Sequence, residues 1–126
     1  MGGNKMELKL KNLLYNFKEL KQQAAILKKC PDFSRDEKVQ SDYHKKAFQL
    51  TVLTSAVNIL NEKEKFVIEM HLIRQMSWPE VTKLYEERYG TADSRSERTL
   101  KRMQKKAITK MENFIRSLQV GFNALI

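Results

Sequence analysis

Between Ser94 and Met111 the chain places seven basic residues and a single acid, Glu97. If Leu100, Met103, Ala107 and Ile108 turn inward on a helix, Glu97, Arg98, Lys101, Arg102 and Lys105 share the outward face. That grouping suits the reading of duplex DNA. An arginine fork matches the two acceptors on the major-groove edge of guanine, and Arg98 and Arg102 are the candidates for it. Glu97 either accepts from a cytosine amino group or favours the positive end of its own helix. Arg95, Lys101, Lys105 and Lys106 suit phosphate contacts, which hold a protein in register without reading sequence. The hydroxyls of Thr99 and Ser77 also suit phosphate, although Ser77 reads first as a helix cap. Trp78 reads as an anchor between helices rather than as a stacking platform.

Other chemistries find little material. No glycine-rich phosphate loop, nucleophile motif or paired-acid site is present, so no enzyme activity is expected. Cys30 is the single cysteine, which excludes an internal disulfide framework and a thiol metal site. His44 and His71 lie far apart, and Glu69, two residues before His71, points to another face of the same helix. Neither a metal nor a cofactor is expected. No apolar run approaches the roughly 18 residues that cross a bilayer, so no membrane partner is expected. Gly2 is followed by Met6 where myristoylation wants Ser or Thr, and no secretory signal is visible. A reducing cytoplasm is the simplest compartment.

The net charge of +9 implies a polyanionic partner, because counterion release drives most non-specific nucleic-acid binding. Its distribution sharpens this: residues 1–30 carry seven bases and two acids, and residues 94–126 carry eight and two. The residues between are close to neutral. With 126 residues, four glycines and two prolines, the chain fits one small helical domain with an appendage.

About five helices must position the basic face, and the fold class is all-α. Leu10, Leu13, Leu14, Phe17, Leu20, Ala24 and Leu27 form one stripe, predicting a helix from Met6 to Lys29 that ends before Pro31. Ser34 to Glu37 has the spacing of a capping box and opens a second helix through Val39, Tyr43, Ala47, Leu50, Leu53 or Thr54, Val57 and Leu60. A third starts at Asn61, buries Phe66, Val67, Met70 and Ile73, and frays around Gln75. Ser77 to Glu80 forms another capping box, with proline in the first turn. That fourth helix turns Val81, Leu84 and Tyr85 inward and stops at Tyr89-Gly90. Ser94 or Ser96 caps the last helix, whose inward side continues through Met111, Phe114, Ile115 and Leu118. Residues 1–33 thus form a basic amphipathic helix and linker, and residues 34–126 a helical domain with a helix-turn-helix at about 61–118. The first helix packs on its own domain or meets a partner helix.

Three stretches carry a resemblance. Leu60-Asn-Glu-Lys-Glu-Lys-Phe-Val-Ile-Glu-Met resembles the opening of the fourth conserved region of bacterial sigma factors. Met76-Ser-Trp-Pro-Glu-Val is similar to the step into that region's first motif helix. Ser96-Glu-Arg-Thr-Leu-Lys-Arg-Met-Gln-Lys-Lys-Ala-Ile-Thr-Lys-Met is similar to its recognition helix. More narrowly, Ser-Trp-x-Glu-Val and Ser-Glu-Arg-Thr-Leu-x-Arg resemble ArpU-like phage transcriptional regulators. That resemblance spans nearly the whole chain, with its diagnostic residues beyond Leu60. It implies a sigma-like carboxy terminus and control of late phage genes, with the base-touching positions falling on Glu97, Arg98 and Arg102. One departure is the element from Tyr85 to Asp93, longer than the tight sigma turn because Glu86, Glu87 and Arg88 extend the helix before Gly90.

The expected partner is double-stranded DNA. RNA polymerase is a further candidate, gripped through the basic first helix, and so is a second copy of the chain through that helix. The alternatives are a sigma-like polymerase-binding module and the DNA-binding subunit of a phage packaging complex.

Overall fold

The computed structural model describes residues 2–91 and 95–118, with side chains from Lys5 onward. The described residues form helices and turns with no strand. The elements are α1 (Gly2–Tyr15), α2 (Phe17–Lys28), α3 (Glu37–Asn58), α4 (Glu62–Val67) continued by a π-helical stretch (Ile68–Ile73), α5 (Trp78–Tyr89) and α6 (Glu97–Ser117).

Six α-helices therefore replace the expected five, because the segment from Met6 to Lys29 is two helices. The break falls at Asn16, whose side-chain amide donates to the Asn12 carbonyl at 3.0 Å. The Asn16 backbone N–H uses the same carbonyl, also at 3.0 Å. Asparagine side chains compete with the helical ladder in this way. The turn there lets the two halves of one apolar stripe serve different neighbours: α1 packs on α6 and the π-helical stretch, and α2 on α3.

A second correction concerns the start of α3. Ser34 lies in the run of turns after Pro31 and caps nothing. Asp36 caps instead, its carboxylate accepting from the backbone N–H of Lys38 at 2.9 Å and of Val39 at 3.3 Å. Further along, Leu53 is fully buried and Thr54 exposed, so the leucine carries the stripe.

Asn61 caps α4 with a full capping box. Its side chain accepts from Glu64 N–H at 2.8 Å, and the Glu64 carboxylate accepts from Asn61 N–H at 3.1 Å. The α-helix then widens into a π turn, and Gln75 adopts a left-handed φ of 58° where fraying was expected. The Gln75 side-chain amide donates to the Tyr15 carbonyl at 2.8 Å, tying this turn to the end of α1.

Helix α6 is the spine of two hydrophobic clusters. Its first turns place Leu100 with Phe66, Val67, Val81 and Tyr85, a cluster drawn from α4, α5 and α6. Its later turns place Ala107, Ile108, Met111 and Ile115 with Leu10 and Leu14 of α1 and with Val52, Leu53 and Ala56 of α3. This second cluster also takes in Leu20 of α2, so it draws on both sides of residues 29–36. Leu118, expected inward, is 42% exposed because it lies one residue past the end of α6.

An ion pair between a buried carboxylate and a partly exposed ammonium joins α4 to α6. Glu64 is buried and its second oxygen lies 2.8 Å from the Lys110 ammonium. Burying a carboxylate is costly unless it is paired and hydrogen-bonded, and Glu64 is both. Lys110 is thereby committed to holding α4 against α6.

Candidate nucleic-acid interface

The side of α6 opposite its apolar stripe carries the basic residues. Ser96 caps the helix, its hydroxyl accepting from Thr99 N–H at 3.2 Å. The alternative cap, Ser94, lies outside the described residues. Arg98, Lys101, Arg102 and Lys105 follow at spacings of three and four, all exposed on one face. At about 1.5 Å per residue this face runs about 10 Å along the helix, comparable with a major groove about 12 Å wide.

The candidate residues are not equivalent. Among the described residues, no carboxylate lies within salt-bridge reach of Arg98, Arg102, Lys105 or Lys106, and all four are exposed. Lys101 is paired with Glu97 at 3.1 Å, one turn apart and both partly exposed. Such an exposed pair contributes little to stability, about 0.3–0.5 kcal/mol, and opens readily to a competing phosphate. Glu97 is the first residue of α6, where its charge also suits the positive helix end. Thr99 is half-buried and its hydroxyl shares a hydrogen bond with Ser96 at 3.0 Å, so it belongs to the cap. Arg95 is exposed just ahead of that cap.

Helix α5 is capped by Ser77, whose hydroxyl accepts from Glu80 N–H at 3.4 Å, and is closed by Gly90, whose φ of 83° favours glycine. Its extra residues are held down. Tyr89 packs on Phe66 with ring centroids 5.7 Å apart and on Tyr85 at 4.7 Å. Arg88 lies over the Phe66 ring at 5.5 Å and reaches Glu62 at 3.7 Å. The long element before Gly90 is thus anchored on α4, and the small aromatic cluster behind it backs the start of α6.

The arrangement also contains a polar device that periodicity alone missed. His71 Nδ1 meets Gln104 Oε1 at 2.7 Å, and because that oxygen can only accept, Nδ1 carries the hydrogen. The imidazole stacks on Trp78 with centroids 3.8 Å apart and planes 22° from parallel. Three elements, the π turn, α5 and α6, are therefore pinned at one point. The signal was present in Gln104, which sits on the inward row midway between Leu100 and Ile108 yet is polar.

Burial pushes the His71 pKa below its usual value, with Lys11 and Lys101 adding to the shift and the Gln104 bond opposing it. The folded state therefore holds His71 neutral at a pH where the unfolded chain takes up a proton. Stability from this source is present above about pH 6.5 and lost as pH falls through the depressed folded value. The urea midpoint should fall between about pH 7 and about pH 5.5, and His71→Gln should flatten that fall; equal slopes for both proteins would contradict it.

Among the described residues no cluster of three or more His, Cys, Asp or Glu could hold a metal ion. No described helix is long and apolar enough to cross a membrane. Compared with known proteins, the chain matches no family model, no curated protein and no solved structure.

Proposed function

We propose that the chain is a sequence-specific, double-stranded DNA-binding transcription regulator. In this reading α5 and α6 form a sigma-like helix-turn-helix, and α6 enters the major groove. The observation that supports it best is the single exposed face of Arg98, Lys101, Arg102 and Lys105 on a helix whose other side is locked into the α4–α5 cluster. A merely solvated helix would be expected to intersperse acids for solubility, and this face has one, Glu97, at its edge. Arg98 and Arg102 read bases, Glu97 stands at the groove beside them, and Arg95, Lys101, Lys105 and Lys106 hold phosphates. With its hydroxyl in the cap, Thr99 serves to fix the start of the reading helix. The motifs from Ser77 to Val81 and from Ser96 to Arg102 support reading the chain as an ArpU-like regulator of phage or prophage late genes.

Titrating a labelled random-sequence duplex at several salt concentrations tests the electrostatic half of the proposal. Log affinity should fall linearly with log salt, and Lys105→Ala should reduce that slope by about 0.9 while weakening all sequences alike. Absence of duplex binding at low salt would overturn the reading.

A further inference from the structure

Beside the proposed reading face lies a cleft of about 390 Å³ whose α1 side that reading does not use. It shares Lys101 and Lys105 with α6, and its other side is Glu7 and Lys11 of α1. His71 and Trp78, the stacked pair, line it as well. Helix α1 is thus brought alongside the basic helix, although Lys11 and Lys101 are 90 residues apart in the chain. The amino-terminal charge excess, which sequence position alone leaves remote from α6, here meets the carboxy-terminal one.

We propose that this cleft seats one DNA backbone phosphate, held by Lys11 together with Lys101 and Lys105, so that α1 is part of the DNA interface. The proposal rests on α6 being the groove-reading helix.

Several observations converge on it. Three lysines line the cleft against one lining acid, Glu7, bound to Lys11 at 3.2 Å; Glu97, outside the lining, holds Lys101 at 3.1 Å in an exposed one-turn pair. The Glu7–Lys11 pair is a one-turn contact between half-buried side chains, of a kind that contributes only about 0.2–0.5 kcal/mol, so a phosphate can displace the carboxylate. The wall between the lysines is rigid, because His71 is fixed by Gln104 on one side and Trp78 on the other. The imidazole is kept neutral by burial and by the nearby Lys11 and Lys101 charges, so it adds no charge of its own at neutral pH. A phosphate entering the cleft meets three lysines within reach, two of them released from weak one-turn pairs, and condensed counterions leave the duplex as it binds. Helix α1 is not free to drift away, since Leu10 and Leu14, which flank Lys11 on the helix, are in the core with Met111.

The test uses two substitutions with opposite expected signs. Lys11→Ala should reduce the slope of log affinity against log salt by about 0.9, for preferred and random duplexes alike. Glu7→Gln should tighten binding to every duplex at low salt, because it removes the carboxylate that competes for Lys11. Lys45→Ala, on α3 and away from the cleft, serves as the control for general loss of positive charge. Neither Lys11 nor Glu7 belongs to a buried hydrophobic cluster, so circular dichroism should show both variants folded. A Lys11→Ala slope equal to wild type, or equal to that of Lys45→Ala, overturns the proposal. Weaker binding by Glu7→Gln overturns it too. If Lys11→Ala is silent while Lys105→Ala still lowers the slope, α1 is excluded from the interface and the groove-reading helix stands. If the wild-type chain binds no duplex, both fall.

Discussion

Alanine at both Arg98 and Arg102 is expected to erase discrimination between a preferred duplex and a scrambled one while leaving much of the non-specific binding intact. A bidentate arginine–guanine contact discriminates by about 1–3 kcal/mol. At about 1.4 kcal/mol per decade, two such contacts separate right from wrong sequences by roughly one and a half to four orders of magnitude. The residues proposed for phosphate, Arg95, Lys101, Lys105 and Lys106, are all retained in this variant. Both arginines are exposed and neither supports the core, so the fold should survive. Competition binding with unlabelled preferred and scrambled duplexes reads the difference directly. Retained discrimination in the double variant would remove Arg98 and Arg102 from the reading role.

The largest expected effect on stability comes from the other end of the chain. Leu14→Ala should destabilise the whole protein by about 2–5 kcal/mol, the range for emptying a buried leucine site. Leu14 is fully buried in the cluster that contains Met111 and Ile115 of α6 and Leu53 of α3. Against a total stability of about 5–15 kcal/mol, that loss is a large fraction. Leu8→Ala, six residues earlier in α1 and 61% exposed, should change stability by less than about 0.5 kcal/mol. Urea unfolding followed by circular dichroism separates the two. If Leu14→Ala left the midpoint unchanged, α1 would be an appendage rather than part of the core.

Much of the proposed interface was legible because it depends on local rules. The caps at Asn61, Ser77 and Ser96, the stop at Gly90 and the inward set of α6 from Leu100 to Ile115 all follow from spacing within a few residues. The break at Asn16 was not legible, because the three-four periodicity runs straight through it. Only the choice of neighbour, α6 for α1 and α3 for α2, makes one stripe into two helices. The cap of α3 went to Asp36 rather than Ser34 because the turns after Pro31 carry the chain two residues further before the helix begins. Contacts made by folding were also hidden. Glu64 and Lys110 are 46 residues apart, His71 and Gln104 are 33 apart, and neither pair has a helical spacing to announce it. The element before Gly90 reads in the sequence only as longer than the tight sigma turn; folding binds it through Tyr89 and Arg88 to Phe66 and Glu62.

The measurement that tests the central claim most directly is selection of bound duplexes from a random-sequence pool by the wild-type chain. A sequence-reading helix α6 predicts enrichment of one short consensus containing guanine, and loss of that guanine preference when Arg98→Ala is used for the selection. A pool that stays unenriched, or a consensus that Arg98→Ala and Arg102→Ala reproduce unchanged, would contradict it.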